Sequence, residues 1–183
     1  MRPSDLPAWA ELQATILLSD LGDRWTHVRA VARCAERVSA ALAPEDRPYL
    51  VAAAWLHDIG YAPRLAATEF HPLDGARHVR ALGHERLAGL VAYHSGARHE
   101  AALRALASEV AEFPDEASDV SAALTYCDMR TGPAGESVTL EERLADVERR
   151  YGPEHVVPRA LARARLDLAH QIKRTEAALA AHR

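Results

Sequence analysis

Apolar residues recur along this chain at three- and four-residue spacing, and the breaks between the periodic runs fall at proline and glycine. The spacing predicts a first helix that starts after SDLP and runs to about Leu18, with Ser4 or Asp5 as its cap and Pro7 in its first turn. RWTHVRAVARCAERVSAAL then places Val28, Val31, Ala35 and Val38 on one helical face, and Pro44 ends it. PEDRPYLVAAAWLHD opens the next helix, with acids near its positive end. GYAPRLAATEF, broken at Gly60 and Pro63, reads as a loop. Helices through LDGARHVRAL and HERLAGLVAYH follow, separated near Gly83. AALRALASEVAEF and EASDVSAALTYCDM repeat the helical period on either side of Pro114. After a loop at RTGPAGESV, Thr139 and Glu142 form a capping box for LEERLADVERRYG. A long charged helix with an apolar stripe runs from about Pro158. No alternating strand pattern, internal repeat or composition break interrupts this, so the expected fold class is all-α, a single helical domain over residues 1–183.

Composition sharpens the picture. The chain has 183 residues, 49% of them hydrophobic but only 5% aromatic, and alanine-rich apolar surface favours closely packed helices over a sheet sandwich. A net charge of -4 and the lack of a basic stripe with interleaved aromatics argue against nucleic acid or an anionic membrane as partner. Almost all the positive charge is arginine, since Lys173 is the only lysine. MRPSDLPAWAEL lacks the apolar stretch of an export peptide and no run is long enough to span a bilayer, so a cytoplasmic location is expected. Cys34 and Cys127 form neither a disulfide framework nor a CxxC knuckle and read as buried free thiols.

Several polar residues fall where an apolar face meets a helix boundary. His27 begins the face that Val31, Ala35 and Val38 continue. A polar ring turned into the core needs partners, and those could be ordinary hydrogen bonds or a metal ion. In WLHDIGYAP, His57 and Asp58 end a very apolar run, where both can turn toward one cation and Gly60 lets the backbone bend away. Asp128 ends another helix, where the negative dipole end gives a carboxylate nothing, so a metal or an arginine such as Arg130 must compensate. His71, before Pro72, and His94, before Ser95 and Gly96, repeat the pattern. His78 shares a helical face with Asp74 as a solvent-facing pair, and His84 and His99 are assigned to the surface.

Taken in order, His27, the His57–Asp58 pair and Asp128 resemble the H…HD…D signature of the HD-domain superfamily, whose members share an all-helical fold and hold a divalent metal with those four positions. The resemblance implies an HD-domain-like bundle with its metal-binding core over about residues 24–128 and packing helices after it. HPLDGA at 71–76 is similar to the HPxxGA segment of the HD-GYP relatives, and with VAYHSG it singles out His71 and His94 for a second ion, which Asp58 would bridge to the first. YHSGARHE departs from the HHE…DGxGYP continuation, so hydrolysis of a cyclic dinucleotide does not carry over.

The resemblance implies a metal-dependent hydrolase of a small, nucleotide-like phosphate ester. Its cofactor would be one or two divalent ions, with Mn, Fe, Mg, Zn, Co and Ni all compatible. A divalent ion so held lowers the pKa of a bound water and polarises a phosphoryl oxygen. Asp58 and Asp128 are the candidate catalytic carboxylates. Arg24, three residues before His27, is the candidate phosphate-binding group, with an ion pair to Asp20 or Asp128 as its alternative. Arg77, Arg98, Arg130, Tyr61 and Tyr93 are weaker pocket candidates. Two further readings stay open: a di-iron oxygenase of the HD type, and a non-catalytic helical protein with a structural metal. The terminal helix either forms a homodimer or covers the core.

Overall fold

A computed structural model describes residues 2–182. Its central element is α3 (Arg47–Leu56), in which every residue from Leu50 to Leu56 is buried. A helix apolar on all sides has to be surrounded, and α3 is: α1 (Leu6–Leu18), α2 (Asp23–Ser39), α5 (Glu85–Tyr93) and α8 (Asp119–Met129) all pack on it. The consequence for function is direct. His57 and Asp58 end this buried helix and therefore lie inside the protein, not at its surface.

The remaining helices build outward from that centre. α4 (His71–Ala81) pairs with α5 and lies against the single turn Ile59–Tyr61 that follows the His57–Asp58 pair. α6 (Ala97–Leu103) and the short α7 (Ala107–Val110) follow. α9 (Leu140–Tyr151) begins at the expected capping box, with Thr139 accepting from the Glu142 amide and the Glu142 carboxylate accepting from Thr139. α10 (Val156–Ala181) packs on α8, α6 and α9, burying Ala164, Leu168 and Ile172 against Met129. Among the described residues no β-strand forms; one isolated bridge, Thr131 to Ser137, ties the loop before α9. The fold is an all-α bundle, as the periodicity predicts.

Local differences have local causes. No side chain of Ser4 or Asp5 caps the first helix; Asp5 pairs with Arg2 instead. The helical period through 101–113 is broken where Ala105 adopts a left-handed φ of 58° and the Leu106 amide turns back to the Ala101 carbonyl. Asp74 is buried, not solvent-facing with His78: it accepts from the Ala67 and Thr68 amides and the Thr68 hydroxyl and so ties down the 65–69 loop. Cys127 is buried and Cys34 half-buried, both as free thiols. No helix among the described residues is long and apolar enough to cross a membrane.

Candidate metal centre

Three buried histidines reach the same point, His27 from the second turn of α2 and His57 and His94 from the C-terminal ends of α3 and α5, and each is held from behind by a backbone carbonyl. His57 Nδ1 lies 2.8 Å from the Ala54 carbonyl oxygen, His27 Nδ1 3.1 Å from that of Gly132, and His94 Nδ1 2.7 Å from that of Val91. A carbonyl only accepts, so Nδ1 carries the proton in all three rings and Nε2 is turned inward, with that of His27 against Asp128 Oδ1. Fixing the outer nitrogen in this way is how a fold orients a metal-binding imidazole. His71, the first residue of α4, brings a fourth ring, stacked on Tyr61 at 4.1 Å.

Two carboxylates meet these rings. Asp128 Oδ1 lies 3.0 Å from His27 Nε2 and 3.9 Å from His57 Nε2. Asp58 divides its oxygens: Oδ2 is 3.4 Å from His57 Nε2, and Oδ1 is 3.3 Å from His71 Nε2. Two clusters result, His27–His57–Asp128 and Asp58–His71–His94, and within each the potential ligand atoms lie within 4.8 Å of one another. All six residues expected to ligate therefore converge, and Asp58 sits between the two groups.

The donor set fits a divalent ion in each cluster: two imidazole nitrogens and a carboxylate oxygen are what borderline ions accept. Among the described residues His57 Nε2 is buried without a well-formed hydrogen bond. His71 Nε2 and His94 Nε2 face each other at 3.3 Å, a pair of ring nitrogens that needs a positive centre or a proton between them.

Electrostatics separates the two clusters. Burial works against ionising Asp58, but Arg24, then His57 and His71, outweigh it and hold the carboxyl well below the usual range. Burial likewise opposes charge on Asp128, and His27, His57 and Arg143 overcome it in the same direction. Burial depresses His57 too, yet the two aspartates beside it win and raise its pKa above the ordinary imidazole value. For His71 burial dominates and drives the pKa well below that value, and His94 is lowered by burial and by His57. A proton therefore competes with a cation at His57 from higher pH than at His71 or His94. Acidifying the metal-loaded protein is expected to release the ion of His27–His57–Asp128 first, because the neighbouring aspartates favour a proton on His57. The Asp58–His71–His94 ion should persist to lower pH. Metal content measured across the titration, with histidine NMR signals reporting which site empties, checks this. Loss of both ions in a single step, or in the opposite order, would contradict it.

Residues 24–147 match the HD domain family, a span that is more than half of the chain and contains all six clustered residues. The chain belongs to the HD-domain family. Comparisons with curated proteins and with solved structures give no match. Family membership together with the two clusters supports a metal-dependent hydrolase in general terms.

The HD-domain site is open on one side. Asp58, His71, His94 and Asp128 line a cavity of about 90 Å³, while His27 and His57 stand behind them. Arg24 lines the same cavity, and its partner is Asp58, at 2.5 Å from Oδ2, not Asp20 or Asp128. Its guanidinium also lies 3.9 Å over the Tyr61 ring, so Arg24, Tyr61 and His71 form a continuous stack beside the clusters. Arg77, Arg98 and Arg130 do not line it; Arg98 pairs with Asp167 and Arg130 with Glu176. Tyr93 is also elsewhere, its hydroxyl donating to the Val110 carbonyl. His84 packs on Trp9, and His99 bonds Asp167.

Sequence reasoning missed Ser95, whose hydroxyl donates to Asp128 Oδ2, and the inner face of α9, where Arg143, Val147, Arg150 and Tyr151 line the cavity. A signal for the second did exist. Arg143 lies three residues after Leu140 and four before Val147, so it is an arginine set in the apolar stripe of its helix.

Proposed function

We propose that this HD-domain protein hydrolyses a small, nucleotide-like phosphate ester with the help of one or two divalent ions held by His27, His57, Asp58, His71, His94 and Asp128. The observation that carries this reading is that both His/Asp clusters meet an open cavity walled by Arg24, Arg143 and Arg150. A purely structural ion needs no such opening, whereas guanidinium groups beside a dication centre suit a phosphate dianion. The nucleotide-like half of the reading rests on the family resemblance and on Tyr61 and Tyr151 at the cavity wall.

When bound, such ions supply Lewis acidity toward a phosphoryl oxygen and toward water. The chain's own residues then have separable tasks. Asp58 presents one oxygen to each cluster and balances charge in both. Asp128, fixed by Ser95 and held far below the usual carboxylate range, serves as a permanent anion and is a weak proton acceptor. His27 and His57 close the back of the site against water. Arg24 keeps a cation at the wall, anchored by Asp58 and Tyr61. The partner is a small phosphorylated molecule, with no role for nucleic acid or membrane.

The test is metal analysis of protein purified without added metals or chelators, paired with a screen of nucleoside mono-, di- and triphosphates. Bound divalent metal and phosphate release from at least one compound are expected. Replacing His71 or His94 with alanine should lower occupancy by about one ion per chain, because the second cluster is left with two ligands. Unchanged stoichiometry would reject the two-ion arrangement. Oxygen consumption coupled to substrate loss would replace the hydrolase reading with the di-iron oxygenase.

A further inference from the structure

Three arginines wall the cavity, and two of them are already occupied. Arg24 is bound to Asp58 at 2.5 Å, and Arg150 to Asp146 at 2.8 Å. Arg143 differs. It is nine-tenths buried, yet none of its N–H groups has a hydrogen-bond partner among the described residues, and its buried Nε is left unpaired. Its nearest anions are Asp128 Oδ1, 3.8 Å from Nη2, and Asp146 Oδ2, 4.0 Å from Nη1, both beyond hydrogen-bond reach. A guanidinium is charged at any pH a protein survives and carries five donors in a rigid fork. Leaving the buried Nε without an acceptor is unfavourable unless something arrives to accept from it. Asp128 and Asp146 attract the group without satisfying it.

Position tells what would arrive. Arg143 stands next to Asp128, on the edge of the His27–His57–Asp128 cluster, and faces the cavity. From it the inner face of α9 continues through Val147 to Tyr151, a distance of about 12 Å at the helical rise. Met129, Val157 and Leu161 complete an apolar wall beside that face. The cavity therefore combines an Arg143 guanidinium without a hydrogen-bond partner among the described residues, beside Asp128, with apolar and aromatic lining from Val147, Tyr151, Met129, Val157 and Leu161, and Glu100 and Arg150 complete its wall.

We infer that Arg143 is the phosphate receptor of this cavity, its fork taking two non-bridging oxygens of a phosphoryl group, while α9 from Val147 to Tyr151 seats the organic part of the ester. The inference rests on the phosphate-ester reading of the site and adds to it the residue that binds the anion. Arg24, held by Asp58, is then a fixed positive wall and not the primary receptor.

The experiment uses the full chain loaded with Mn²⁺ and measures two things. One is the Kd for inorganic phosphate by calorimetry; the other is KM and kcat for p-nitrophenyl phosphate. Arg143→Met is expected to weaken phosphate binding about tenfold or more and to raise KM similarly, with Mn²⁺ content unchanged. Arg143→Lys, which keeps the charge but loses the fork, should fall between the two. Added methylguanidine should restore phosphate binding to Arg143→Ala, a rescue that a merely structural role would not give. If Arg143→Met loses metal or stability, Arg143→Lys carries the same comparison with the charge beside Asp128 intact. A phosphate Kd in Arg143→Lys and Arg143→Met within about twofold of the parent, or a parent protein that binds no phosphate, overturns the inference. Arg143-dependent phosphate binding without hydrolysis of any ester would uphold it and reject the hydrolase reading; hydrolysis with KM indifferent to Arg143 would do the reverse.

Discussion

Asp58→Ala is expected to abolish metal retention and phosphate-ester turnover together, with turnover falling by about 10³-fold or more. Asp58 contributes an oxygen to each cluster, so its loss removes an anion from both at once. The same change leaves Arg24, whose closest carboxylate it is, partly buried without its partner. Breaking a buried pair from one side costs about 3–5 kcal/mol, so the ion-free variant should also melt well below the parent. Asp58→Asn keeps the shape and loses the charge, and it should show the same loss of metal. His57→Ala separates the two effects. Among the described residues His57 Nε2 has no hydrogen-bond partner, and its removal leaves the Arg24–Asp58 pair in place, so the variant should lose metal and activity with a smaller change in ion-free stability. Metal content, phosphate release and thermal melting of the ion-free proteins read all three. Undiminished turnover in a metal-depleted Asp58→Ala protein would remove the mechanism.

What the sequence made legible, and what it did not, divides along physical lines. A continuous apolar run ending in His57 and Asp58 announces a buried helix with polar residues at its inner end, and α3 is that helix. His71 and His94 were readable because each stands at a helix boundary marked by proline or glycine. Partner choice was not readable, because it depends on which helices cross. Arg24 reaches Asp58 across 34 positions, and nothing in helix spacing selects that acid over Asp20 or Asp128. Asp74 shares a helical spacing with His78, but it serves amides six and seven residues upstream, in a loop with no periodicity to read. Arg143 and Ser95 became part of the site only because α9 and the turn after α5 fold back over Asp128. Gly60 is needed for its missing side chain, which the sequence marks, while the backbone it makes room for could not be read from spacing. Its backbone is not in the left-handed region where glycine's freedom matters; it is there because another backbone passes within touching distance.

That close approach makes Gly60→Ala the most damaging single methyl to be expected near the site. A Cβ at residue 60 would lie 2.0 Å from the His71 carbonyl oxygen and 2.8 Å from the Gly75 amide nitrogen. Both are backbone atoms of α4, so no rotamer change relieves the clash, and the start of α4 has to move away from the turn after α3. Overpacking of this kind typically costs about 1–3 kcal/mol, and a backbone clash belongs at or above the upper end. For a chain of this size about 3 kcal/mol corresponds to a fall in Tm of roughly 6–12 °C. Function should suffer separately, because His71 is the first residue of α4 and its ring lies only 3.3 Å from Asp58 Oδ1. Displacing it opens the Asp58–His71–His94 cluster, and about one bound ion should be lost while the His27–His57–Asp128 ion stays. Gly75→Ala provides the contrast: its Cβ would meet the Gly60 nitrogen and the Val91 and Ile59 side chains at 3.2–3.3 Å, where small shifts suffice, so its loss of stability should be smaller. Thermal melting and metal stoichiometry of the two variants side by side measure the difference. A Gly60→Ala protein with the parent's Tm and full metal content would mean that α4 does not rest on the His57–Asp58 turn, and His71 would then lose the support that holds it at the second cluster.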